Sequence, residues 1–268
     1  MVIPILLVSG ALFTFLILAL LRKLLPKRQN FTGQTIPTAT GVVFVPIILL
    51  TLVGGLFGSL AVGVGGIGYL LYSVLAGIVG FVDDFWGGVE DRGFRGHLGA
   101  LVRGRVTTGA LKVFALGGGA LVFGVFLFGF SLRAVVAAVL MAGSVNLANL
   151  FDVRPGRALK FLGVPILVLS VVAPYAAVLA VAPVAGGAIP LFYFDVRGRI
   201  MLGDAGAAVY GAVLGYLVVA CGSGSVWWVA GGVILALTVL AEVSSISTLI
   251  EEVSVLRRFD CWGRGNSG

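Results

Sequence analysis

A chain of 268 residues that is 59% hydrophobic and only 11% charged, with a mean hydropathy of +1.14, lies outside the range of soluble domains, about a quarter of whose residues are charged. That composition excludes a water-soluble enzyme and leaves a polytopic membrane protein. The formal net charge of +7 would suit nucleic acid, but its placement along the chain argues for no nucleic-acid partner, and two cysteines, Cys221 and Cys261, are too few and too far apart for a disulfide framework or a zinc site.

A helix needs about 20 mainly apolar residues to cross a bilayer. Nine stretches qualify in chain order, roughly 2–22, 38–57, 61–82, 108–129, 132–150, 158–174, 175–194, 205–222 and 226–249. The first lacks a basic leader and a small-residue cleavage site, so it reads as a retained helix. Pro165, Pro174, Pro183 and Pro190 interrupt the sixth and seventh, which a membrane tolerates where neighbours satisfy the freed carbonyls. The 41 glycines let helices approach closely. The expected fold is all-α, a polytopic transmembrane helical bundle of about nine spans. Residues 1–249 form one catalytic domain and residues 250–268 a cytoplasmic tail. In that tail Val253, Leu256 and Phe259 recur at spacings of three, which predicts a short interfacial helix over 250–259. Its expected role is to cover the edge of a cleft or to pair with nearby arginines.

Nine spans put the two ends on opposite sides. Every Lys and Arg except Arg133 falls in the first, third, fifth or seventh loop, at its edge, or in the tail. The positive-inside rule makes that side cytoplasmic and the N-terminus external. The acidic residues map to the same side, with Glu242 inside the ninth span towards that edge. Chemistry is therefore expected at the cytoplasmic edge of a cell membrane, not at mid-membrane sites of the kind carriers use.

Three clusters stand on that edge. Asp83 and Asp84 close span three, and adjacent like charges beside hydrocarbon call for a cation or a shared proton. Asn146, Asn149 and Asp152 close span five at spacings near one helical turn, so they share a face. Asp204, in Met201-Leu202-Gly203-Asp204-Ala205-Gly206, opens span eight, where on its own it reads as a helix cap. Together the four aspartates suggest Mg²⁺, which takes few carboxylates and completes its shell with substrate phosphates. One His and two Cys give no support to imidazole or thiolate ligation. Arg92, Arg95, Lys112, Arg154, Arg157, Arg197 and Arg199 surround the same face and suit a phosphate-bearing substrate. Topology signalling and contact with membrane lipids are the competing reading of such residues, and the preferred one for Arg22, Lys23, Lys27 and Arg28. His97 reads equally as a phosphate or sugar contact and as an exposed loop residue.

This ordered set resembles the polyprenyl-phosphate N-acetylhexosamine-1-phosphate transferases, the membrane family that includes the phospho-N-acetylmuramoyl-pentapeptide transferase of peptidoglycan synthesis. Pro37-Thr38 with Gly41, Gly80 with Asp83-Asp84, Lys112, the Asn146, Asn149 and Asp152 triplet with Gly156, and Met201-Leu202-Gly203-Asp204 with Gly206 follow the family's motifs in order, over roughly residues 33–220. The resemblance implies that a polyprenyl (undecaprenyl) phosphate attacks the β-phosphate of a UDP-activated amino sugar, giving a polyprenyl-diphosphate sugar and UMP with Mg²⁺ as cofactor. It implies Asp204 as metal ligand, with Asp83 or Asp84 assisting the lipid phosphate or the metal. Asp152, Asn146 and Asn149 would organise the nucleotide diphosphate or the base, and Lys112 would neutralise a phosphate. It also makes a homodimer an expectation. The pattern departs at Gly87 and Pro155, where the family often carries charged residues, and the chain has neither a histidine-rich loop before its last span nor a tenth span. These departures favour a different or smaller sugar nucleotide than the peptidoglycan precursor, or a paralogue with weakened activity. The competing readings are a catalytically weak or silent paralogue regulating lipid-carrier metabolism, a CDP-alcohol phosphatidyltransferase and a transporter. The second resembles a motif with further spaced aspartates, whereas here no acid follows Asp152 until Asp195.

Overall fold

A backbone in hydrocarbon must satisfy its own amides, and helices do so within one segment. A computed structural model describes residues 1–30, 32–87, 108–222 and 224–264. Among them α1 spans Val2–Leu21, α2 Phe44–Leu56, α3 Gly63–Trp86, α4 Thr108–Phe128, α5 Leu132–Phe151, α6 Arg157–Val172, α7 Tyr175–Asp195, α8 Gly203–Ala220 and α9 Ser225–Val243. The tail adds α10, Ile246–Glu252, and α11, Ser254–Cys261. The protein is an all-α multi-pass bundle, with a helix at each of the nine expected stretches. Six of these helices are long and apolar enough to cross a membrane, or seven if α9 and α10 count as one span bent by 99°. The shortfall from nine has local causes. A 3-10 turn at Thr40–Val43 takes up the start of the second stretch, and α6 has only 16 residues with Arg157 and Lys160 in its first turn. The ninth stretch breaks at Ser244-Ser245, where Ser244 turns to an extended backbone while its amide and its hydroxyl both donate to the Leu240 carbonyl, at 2.7 and 3.3 Å. Between the sixth and seventh, α6 ends at Val172 and Pro174 caps α7, so the break falls where that proline requires it.

Lipid gives helices no hydrophobic reason to associate, so close backbone contact at small residues holds them together. Helix α8 is buried all round and is the axis of the bundle, with α3, α5 and α6 packed on it. Gly80 of α3 lies so near α8 that a Cβ there would stand 2.5 Å from the Asp204 carbonyl oxygen. Gly211 of α8 meets α5 in the same way, a Cβ falling 2.6 Å from the Val145 Cα. Gly10 and Gly186 join α1 to α7, facing the backbones of Pro183 and Leu7. Large apolar side chains such as Leu16, Leu20, Leu167 and Val171 point outward, as they do where the solvent is hydrocarbon.

The first loop holds a feature the apolar pattern did not indicate. Lys27–Gln29 (β1) pairs antiparallel with Thr35–Pro37 (β2), Lys27 opposite Pro37. The Asn30 carboxamide oxygen accepts from the amides of Thr32 at 3.0 Å and Gln34 at 2.9 Å, which fixes the turn between the strands. The hairpin delivers Thr38 to Gly41 to the loop before α8, and that contact builds the site.

The candidate active site at the start of the central helix

A helix begins with amides that have no partner inside the helix. At the start of α8 these are bound by aspartates from elsewhere in the chain. The Asp84 carboxylate accepts from the Asp204 amide through Oδ1 and from the Ala205 amide through Oδ2, both at 3.0 Å. Asp195, at the end of α7, accepts from the Leu202 amide at 3.3 Å and, with its other oxygen, from the Gly156 amide at 2.8 Å. Negative charge is favoured at this helix end, so these amides offset part of the cost of burying the two carboxylates. Glycine is required at 203, because its φ is +76° and a Cβ would lie 2.7 Å from Asp84 Oδ2.

The hairpin side closes the same loop. Met201 donates its amide to the Pro37 carbonyl at 2.8 Å, the Thr40 hydroxyl donates to the Met201 carbonyl at 2.8 Å, and the Gly41 amide donates to the Leu202 carbonyl at 2.9 Å. Gly41 sits directly against the backbone of Gly206. Arg28 reaches across to donate to the Asp84 carbonyl at 2.7 Å, so this residue, read as a topology signal, also ties down the end of α3.

Lys112, near the start of α4, points into the cluster. Its Nζ stands 2.8 Å from Asp204 Oδ1 and 3.3 Å from Asp83 Oδ2, with 12% of the side chain exposed. Asp83 and Asp204 thus share one ammonium, while Asp84 faces the α8 backbone. Asp152, just after α5, is pushed well above the ordinary carboxyl range, first by burial and then by the charges of Asp195, Asp204 and Asp84; the Gly203 amide opposes this. The Asn149 carboxamide oxygen is buried without a hydrogen-bond partner among the described residues, and Asn146 is exposed.

The structure separates the arginines that the sequence groups together. Arg154 and Arg199 are exposed at this end of the bundle, Arg154 lying 4.0 Å from Glu251. Arg197 stacks over the Tyr193 ring at 3.9 Å. Arg157 instead turns into the protein and is 1% exposed. Its Nε and Nη2 hold the Asp260 carboxylate at 2.9 and 2.8 Å, and its Nη1 donates to the Ser247 hydroxyl at 2.7 Å. Arg92, Arg95 and His97, and the Glu242 side chain, lie outside the described residues. Asp260 lies in the tail expected to pair with nearby arginines, and Arg157 and Arg264 are its partners, whereas Asp195 received no role from the sequence. Asp195 carries the same mark as Asp152, a lone acid closing an apolar run, and that mark alone could have found it.

The structure is thus that of a multi-pass helical bundle in which a lysine and several aspartates converge on one helix start at one rim. The chain belongs to glycosyl transferase family 4, which matches residues 66–222, more than half its length. This is the family of the polyprenyl-phosphate hexosamine-1-phosphate transferases, so the protein is coarsely a membrane phosphosugar transferase with a nucleotide-sugar donor and a polyprenyl phosphate acceptor. No curated protein matches the chain.

Proposed function

We propose that the protein transfers a sugar-1-phosphate from a UDP-activated amino sugar to undecaprenyl phosphate at the cytoplasmic face of the cell membrane. The observation that carries this reading is the Lys112 ammonium held between Asp83 and Asp204 beside the carboxylate-bound start of α8. A phosphate oxygen of the lipid attacks the β-phosphorus of the donor. The bond from that phosphorus to the bridging oxygen breaks, and UMP leaves with the electron pair. A phosphate monoester is largely ionised at neutral pH, so the attack needs positioning and charge stabilisation more than a strong base.

The donor set fits Mg²⁺. Among the described residues no three His, Cys, Asp or Glu side chains form a ready-made cage. Magnesium, however, commonly takes only one or two carboxylates and draws the remaining ligands from substrate phosphates and water. Asp204, with Asp83 beside it, supplies those carboxylates, and the partnerless Asn149 oxygen is a further hard donor nearby in the motif. The ion, when bound, would neutralise charge on the diphosphate. Lys112 acts as resident counter-cation for Asp83 and Asp204, and swings its ammonium to a phosphate oxygen once substrate arrives. Asp84 and Asp195 position the α8 start and touch no substrate. Asp152 and Asn149 orient the donor diphosphate, and the exposed Arg154 and Arg199 attract it.

The test is a panel of radiolabelled UDP-sugars incubated with the protein in lipid vesicles containing undecaprenyl phosphate. Label entering the lipid extract with stoichiometric UMP, dependent on Mg²⁺ and absent in Asp204→Asn, is the expected result. No UMP from any common UDP-sugar with wild-type protein would refute the reading and favour a silent paralogue.

A further inference from the structure

The end of the bundle away from the aspartates holds a second feature that the transferase reading does not use. A cavity of about 540 Å³ opens there between the start of α3, the end of α4, the start of α5, the end of α8 and the start of α9. Gly65 on its wall and Asp83 at the other rim lie on one helix, so at 1.5 Å per residue they are about 27 Å apart, close to the thickness of a bilayer core. The wall is largely apolar, with Phe128, Leu132, Val136 and Trp227 prominent.

Beside the Trp227 indole N–H, a buried donor with no hydrogen-bond partner among the described residues, two side chains bring polar groups to that wall. Among the described residues Arg133 is the one Lys or Arg at this end. Its guanidinium has no hydrogen bond or ion pair among the described residues. It also sits in the first turn of α5, after the Ser131 cap, where the helix dipole repels a cation. An anion over that turn would answer both charges. Tyr216 is the second group. It is 4% exposed, its ring stacks on Tyr69 with centroids 4.6 Å apart, and its hydroxyl has no hydrogen-bond partner among the described residues. That hydroxyl lies beside Gly65, 3.4 Å from where a Cβ would stand, so it belongs to the cavity wall. A buried phenol normally finds a partner.

We propose that this cavity binds the head of an anionic phospholipid from the leaflet opposite the aspartate rim. The lipid phosphate pairs with Arg133 and accepts a hydrogen bond from Tyr216, and the acyl chains leave along the exposed α5 face at Val135 and Val139. A free phosphate fits poorly, because Phe128, Leu132 and Val136 would strip its water without compensation. A lipid answers the whole wall, since its ester region and first methylenes meet the apolar residues while Trp227 and Trp228 sit at headgroup level, where tryptophan concentrates. The proposal goes beyond the transferase reading and does not depend on it.

Full-length protein in detergent, equilibrated with equal amounts of phosphatidylglycerol and phosphatidylcholine of matched chains, is examined by native mass spectrometry. Wild type should retain phosphatidylglycerol about tenfold over phosphatidylcholine, the scale of one charge-assisted contact. Arg133→Gln should abolish the preference and Arg133→Lys should keep most of it. Tyr216→Phe, which preserves the ring stack, should reduce it about threefold, a loss on the scale of one neutral hydrogen bond. Thermal unfolding gives a second readout, in which phosphatidylglycerol stabilises wild type but not Arg133→Gln. Equal retention of the two lipids by wild type, or a preference unchanged in Arg133→Gln, overturns the proposal. So does displacement of the phospholipid by stoichiometric undecaprenyl phosphate, which would make the cavity a carrier site.

Discussion

Both carboxylate oxygens of Asp84 are occupied by the amides of Asp204 and Ala205, whereas Asp204 turns its own carboxylate to Lys112. Two substitutions that look alike should therefore behave differently. Asp84→Asn replaces one acceptor oxygen with a donor facing an amide, so it removes half of a buried helix cap. The expected loss is about 1–2 kcal/mol of stability, read as a lower unfolding temperature, and transfer falls with it because the loop carrying Asp204 shifts. Asp204→Asn leaves both amide hydrogen bonds of Asp84 at the α8 start in place, and Lys112 keeps Asp83 as its counter-ion. It should lower transfer at least ~100-fold, as loss of a preorganised charge does, with no fall in unfolding temperature. Asp152 adds a third behaviour. Its carboxyl is raised by burial and by three neighbouring aspartates, so the folded state holds its proton more tightly than the unfolded chain does. Stability from this site is thus greatest at low pH and declines as pH rises from the ordinary carboxyl range through the raised value. Asp152→Asn should flatten that decline and raise the unfolding temperature at neutral pH while reducing transfer, as calorimetry over a pH series can show. The sequence marked Asp83, Asp84, Asp152 and Asp204 as one acidic set, because each closes or opens an apolar run. It could not divide their roles, since the division depends on amides that lie as many as 121 residues away.

The tail shows how an element's existence can be legible while its partner is not. Spacings of three apolar residues predict a helix over 250–259, and two short helices form there, broken at Val253. Amphipathicity cannot distinguish a lipid surface from a protein surface, and here Leu256 packs against the core and Phe259 meets Phe161 edge-on at 5.1 Å. The anchor is the Asp260 carboxylate, held by Arg157 and by Arg264 at 2.6 Å. Lys160 donates to the Asp260 and Trp262 carbonyls, and Arg264 donates to the Pro155 carbonyl at 3.0 Å. The tail therefore grips the turn between Asp152 and Arg157, whose Gly156 amide in turn holds Asp195. Breaking a buried pair leaves an uncompensated charge and costs about 3–5 kcal/mol, which is the expected effect of Asp260→Asn. Burial alone would raise the Asp260 carboxyl, but the hydrogen bonds and charge of Arg157, with Arg264, more than offset it and hold the group below its ordinary range. The stability difference between wild type and Asp260→Asn should then be full above the ordinary carboxyl value, about pH 4, and vanish as pH falls through the depressed one. Proteolysis of the tail across that window gives an independent reading.

At the scale of the whole molecule, the apolar pattern set out the helices because lipid enforces a simple rule on every span. A helix forms at each of the nine expected stretches, and a 3-10 turn, a charged first turn and a serine pair leave three of them shorter or broken. What the pattern leaves for experiment is which way the bundle faces, and the two cysteines supply a test. Cys261 is exposed in α11, beside the aspartate rim, while the half-buried Cys221 caps the far end of α8. A thiol on each end of one bundle reports on each side of the membrane. If the basic rim faces the cytoplasm, as the positive-inside rule leads one to expect, a membrane-impermeant maleimide added to intact cells should leave Cys261 unlabelled. The same reagent should modify Cys261 fully in inverted vesicles. Labelling of a Cys221→Ser variant isolates the Cys261 signal, and a Cys261→Ser variant controls for the slower reaction at Cys221. Modification of Cys261 from outside intact cells would invert the topology. It would also place the aspartates, Lys112 and the start of α8 on the side where cytoplasmic nucleotide sugars are absent, and the donor would then have to be a different activated phosphate ester.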